Sequence, residues 1–228
     1  MVYGLYHLLL IPVLVIQYHD WWPVRPFVKV IPPLFLLLVF VYQHAQNKRD
    51  LYFRNTTVAL VLTALAFFAI SFNRNPVADF LAMLLFILGR LAFFLNIRML
   101  SGFLIIKNWK NFLIIVLIAF SFFLFVAVYV IPQMIPMHKL AITLYVFMDT
   151  LLVTSVYFLW RVKKLHTTGI WAIAMLVLFD LIGSFSMFIG DFNDHYAIST
   201  YFGYLSTYFM YRYMIDLSLG ESLKKSDI

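Results

Sequence analysis

Eight stretches, 2–16, 27–42, 57–72, 79–95, 112–131, 140–160, 170–189 and 197–215, are made almost wholly of apolar residues, and little chain is left between them. An apolar run of about 20 residues matches the hydrocarbon thickness of a bilayer as a helix. With 64% hydrophobic and 12% charged residues, the chain lacks the polar surface that a soluble globule would need. The expected fold class is therefore all-α, a polytopic transmembrane helical bundle of about eight helices. It forms a single integral membrane domain, residues 1–228, with little chain left for a soluble one. The first run has no basic residues before it and no small-residue cleavage site after it, so it reads as a retained helix. Trp21 and Trp22, after it, suit a membrane interface.

Orientation follows from the loops. Those after the second, fourth and sixth runs, with the C-terminal tail, hold eleven Lys and Arg, whereas the alternate loops hold only Arg25, Arg74 and Lys139. Basic residues gather on the cytoplasmic side, which puts both termini there. The net charge of +7 is thus accounted for by topology, and no nucleic-acid partner is expected. Cysteine is absent, so disulfides and thiolate metal sites are excluded. Asp191, Asp194 and His195 fall in one loop with no fourth ligand nearby, a pattern that reads as solvated loop, and neither metal nor cofactor is expected.

Within the run 170–189 lies one carboxylate, Asp180. An ionisable group at mid-depth faces a bundle interior or a watery cavity and has a partner, so it marks a functional site by default. The candidates for its surroundings are Lys29, Asp79, Arg90, Asp149, Tyr204 and Arg212. Tyr201, Tyr204, Tyr208 and Tyr211 recur at spacings of three and four, so they share one helical face. The plainer readings are an ion pair of Asp180 with Arg90 or Arg212, a structural pair of Asp149 with Arg90, a helix-starting role for Asp79 after Pro76, and an interfacial Lys29.

The order of these features resembles the YhhN family, eight-helix membrane proteins that include lysoplasmalogenases. The resemblance rests on Lys29-x-x-Pro32, an acid before the fourth run, Phe86-x-x-Gly89 followed by Ala92-Phe93, the Phe179-Asp180 pair and a Tyr-rich last run. The chain departs from the family pattern at Val30, Ala78, Ile97 and Phe179. Two alignments of the first acid remain open: one uses Asp79, and an ungapped reading of 67–72 puts Phe72 there instead.

The resemblance implies hydrolysis of the vinyl ether of a lysoplasmalogen, a lipid taken from within the bilayer. Such a reaction protonates the alkenyl carbon and captures the resulting oxocarbenium ion with water, so it needs an acid and a base. On this reading Asp180 is the acid and Asp79 the base. Lys29 meets the phosphate, Tyr204 the glycerol, and Arg90 completes the substrate-binding set. The chain has no phosphate-cradling glycine loop, no His-Glu-x-x-His and no Gly-x-Ser-x-Gly, which argues against an ATPase, a zincin and a serine lipase. The alternative is a non-catalytic or altered-activity protein that binds or transports a lipid or small molecule.

Overall fold

The computed structural model describes residues 2–19, 23–44, 51–72, 75–101, 136–163, 167–188 and 195–226, with isolated positions between 110 and 132. It is all-helical. The described residues form seven α-helices: α1 (Val2–Tyr18), α2 (Arg25–Gln43), α3 (Leu51–Ala69), α4 (Pro76–Ser101), α5 (Pro136–Lys163), α6 (Thr167–Phe188) and α7 (His195–Ser226). By length and composition, α2 to α5 each contain a segment able to cross a membrane, while α1 and α6 hold shorter apolar segments. Most of the expected run 112–131 lies outside the described residues, as do Trp21, Trp22, Asp191 and Asp194. His195 opens α7.

Helix ends differ from the apolar runs where polar residues find partners inside the bundle. α3 begins at Leu51 rather than at 57, taking in Arg54, Asn55 and Thr56. Asn96 of α4 explains part of this: its amide donates to the Thr56 hydroxyl (2.8 Å) and the Tyr52 carbonyl (3.3 Å). Helix α4 starts at Pro76, where a missing N–H costs nothing. Asn75 caps it, its side-chain oxygen accepting from the N–H groups of Val77 (3.0 Å) and Ala78 (3.3 Å). α7 runs on past 215 to Ser226; near its overrun, Asp216 accepts from the Thr168 hydroxyl at 2.8 Å and lies 3.9 Å from Arg212.

Consecutive helices from α1 to α6 pack side by side, and α7 closes the bundle at its centre, in contact with α1, α2, α3, α4 and α6. Its segment from Gly203 to Leu205 and on to Tyr208 is buried throughout, and so are Met210, Tyr211, Tyr213 and Met214. A stretch of helix buried on every face, as 203–208 is, belongs to the core of a bundle. Outside, the polarity is reversed from that of a soluble protein. Phe27, Leu38, Leu140, Phe147 and Trp171 point outward and are exposed, while Arg25, Lys29, Arg90 and Asn96 are buried.

Two prolines sit inside α2 without ending it. Pro33 has no N–H to give to the carbonyl four residues back, that of Lys29. The hydroxyl of Tyr204 supplies the donor instead, at 2.8 Å. The carbonyl of Tyr204 in turn accepts from the Tyr6 hydroxyl at 2.8 Å. These two bonds stitch α1, α7 and α2 together at the heart of the bundle.

Candidate functional site

Four polar side chains from three helices meet at mid-bundle. Arg90 projects from α4, Tyr145 and Asp149 from α5, and Asp180 from α6. Tyr145 and Asp149 are one turn apart, so they leave α5 on the same face. The guanidinium of Arg90 is the hub. Its Nη1 donates to the Asp149 carboxylate, and its Nη2 donates to the Tyr145 hydroxyl (2.5 Å) and to Asp180 Oδ1 (3.1 Å). Tyr145 donates its own proton to the same Asp180 oxygen at 2.7 Å. The guanidinium carbon also stands 4.0 Å from the Tyr145 ring centroid and 5.8 Å from that of Phe86, where the ring quadrupoles favour a cation.

The cluster is buried but not sealed. Arg90 keeps 7% of its side-chain surface, and Asp149 and Asp180 keep 13% each. A cavity of about 30 Å³ opens beside it, lined by Arg90, Phe86 and Phe179 together with the hydroxyl-bearing Thr63, Ser206 and Thr207. That is room for a water or two. A guanidinium has five N–H donors, and three of them reach acceptors among the described residues. Phe67, Phe86 and Phe179 form the aromatic wall, with centroids 5.4 Å apart for Phe67 and Phe86 and 5.8 Å for Phe86 and Phe179. Gly203 lets this wall close on α7, because a Cβ there would stand 3.0 Å from the Phe179 ring.

Of the residues singled out from the sequence, Asp180, Arg90 and Asp149 come together here. Lys29 and Tyr204 meet each other, through the Lys29 carbonyl, on the α2 side of α7. The Tyr204 ring stacks on Phe67 at 4.4 Å, so its hydroxyl points away from the cavity wall and into the backbone of α2. Asp79 stands elsewhere. It lies in the first turn of α4 beside His138, eleven residues before Arg90 and so about 16 Å away along the helix axis. The His138 Nε2–H donates to the Pro76 carbonyl at 2.9 Å, pinning that end of α4 to α5. Arg212 is a partner of Asp216, not of Asp180.

Sequence reasoning gave Asp149 a structural role with Arg90 and passed over Tyr145. The available signal was the spacing Tyr145-x-x-x-Asp149, which puts a hydroxyl and a carboxyl on one helical face at the depth of Arg90 and Asp180. Among the described residues, no group of three or more His, Cys, Asp or Glu is arranged to hold a metal ion. No protein-family model, curated protein or solved structure matches the chain.

Proposed function

We propose that the chain is a multi-pass membrane protein of eight spans, with both termini in the cytoplasm, that hydrolyses the vinyl ether of a lysoplasmalogen-type lipid drawn from the bilayer. One observation carries this reading: Asp180, an acid in an apolar helix, is held by Tyr145 and by Arg90, and the Arg90 side of the cluster borders a cavity with space for water. An intramembrane carboxyl is by default a functional-site candidate, and proton relays are among its uses. The outward-facing apolar side chains and the membrane-length segments of α2 to α5 support the location.

The chemistry balances with water as the only co-substrate. Asp180 gives its proton to the alkenyl carbon, whose π pair forms the new C–H bond and leaves an oxocarbenium ion. Water adds to the cationic carbon and loses a proton to a carboxylate. The hemiacetal so formed breaks its bond to the glycerol oxygen, releasing a fatty aldehyde while the glycerol oxygen takes up the hydroxyl proton. Arg90, which lines the cavity, fixes the carboxyl, and the aromatic wall of Phe67, Phe86 and Phe179 keeps bulk water out.

The test is aldehyde release from lysoplasmalogen by the purified protein in lipid vesicles. Asp180→Asn keeps the shape and most hydrogen bonding but removes the transferable proton, so turnover is expected to fall by about 10²–10⁴-fold in protein that still folds. Wild-type protein that releases no aldehyde would overturn hydrolysis and favour binding or transport of a lipid or small molecule.

A further inference from the structure

We infer that Asp149 and Asp180 work as one carboxyl pair, bridged by Arg90 and sharing a single exchangeable proton, and that Asp149, in place of Asp79, is the second carboxyl of the site. The role in lipid hydrolysis rests on the reading above; the pairing does not. Three observations carry it. Both carboxyls take hydrogen bonds from one guanidinium, Asp149 from Nη1 and Asp180 from Nη2. Both are equally accessible, at 13% of their side-chain surface, and both stand by a guanidinium that lines the cavity. Asp79, by contrast, stands about 16 Å along α4 from Arg90 and keeps company with His138.

The charges make the pairing specific. Arg90 is permanently cationic, so it balances one carboxylate. A second ionised carboxylate would leave a net negative charge inside an apolar bundle, the arrangement such surroundings oppose most. Among the described residues, the other polar groups at the cluster bring no compensating charge. Tyr145 offers a hydroxyl proton, already donated to Asp180. The faces of α3 and α7 turned to the cavity present the hydroxyls of Thr63, Ser206 and Thr207, none of them ionisable near neutral pH. One proton held between the two carboxyls restores neutrality. In the hydrolytic cycle the proton leaving for the alkenyl carbon is replaced by the one the attacking water gives up, so the pair ends each turnover as it began.

Infrared spectroscopy reads this directly in the full-length protein in lipid vesicles, through the carbonyl stretch of protonated carboxyl groups followed against pH. Wild type is expected to show one buried protonated carboxyl near neutral pH. Asp149→Asn and Asp180→Asn should each abolish or markedly shift that titration, and Asp79→Asn should leave it unchanged. Asp149→Glu, which keeps the charge, serves if the amide variant does not fold; it should keep the coupling with an altered midpoint. A titration that survives both Asp149 substitutions unaltered would overturn the pairing. Aldehyde release supplies the second arm: Asp149→Asn should remove one limb of the pH–rate profile and Asp79→Asn should not. A coupled titration without turnover in wild type would uphold the pair and overturn hydrolysis. Turnover whose pH profile ignores Asp149→Asn would do the reverse.

Discussion

The Tyr204 hydroxyl answers a deficit that Pro33 creates. Proline withholds the N–H that the Lys29 carbonyl would otherwise accept, and Tyr204 supplies the donor from another helix at 2.8 Å. Tyr204→Phe should therefore destabilise the protein by about 1–3 kcal/mol, the cost of taking this buried hydrogen bond from the carbonyl. In a Pro33→Ala background the restored N–H can serve that carbonyl, and the cost should fall below about 1 kcal/mol. Unfolding of the four proteins in the double-mutant cycle measures it, and equal costs in both backgrounds would refute the account. Residues at this scale were only half legible in the sequence. Asp180 stood out because a lone carboxylate in an apolar run demands a partner. Tyr204 stood out too, but as a polar tip awaiting a ligand. Nothing local to it announces that its acceptor is a carbonyl orphaned by a proline far away in the chain.

Helix against helix, the close approaches run through glycine. At Gly169 a Cβ would stand 2.8 Å from Tyr213 and 2.9 Å from Val156, and at Gly203 it would stand 3.0 Å from Phe179 and 3.1 Å from Phe67. Tyr213, Val156 and Phe67 are buried and Phe179 is half-buried against them, with little room to yield, so Gly169→Ala and Gly203→Ala should each cost about 1–3 kcal/mol. Gly4 has open space around it, and Gly4→Ala should be neutral or stabilising by up to about 1 kcal/mol. Thermal unfolding in detergent ranks the three, and a Gly4 variant as damaged as the other two would contradict the packing argument. Element positions were largely legible from hydropathy, since each described helix coincides with an expected run. Their ends were not, because hydropathy marks the part of a helix that suits hydrocarbon and is blind to Asn96 reaching Thr56 or to Thr168 reaching Asp216.

For the molecule as a whole, the loop charges set the expected outcome. Reporter domains fused after Asn47 and after Asp227 should both report the cytoplasm, and opposite signals would mean an odd number of crossings between them. The all-helical architecture could be read in advance, because eight apolar runs with so few charges leave few other folds. The centrality of α7 could not, since its tyrosines, serines and threonines make it the least apolar of the helices to read and yet it sits innermost. α7 also follows in the chain the five helices it touches. During synthesis the faces of α1 to α4 and α6 that meet α7 go without it until residues 195–226 arrive. Until then Phe67 and Phe179 lack Gly203, and the Lys29 carbonyl lacks its donor. Assembly is thus timed by the chain's own order: the keystone reaches the bundle after the five helices that close on it.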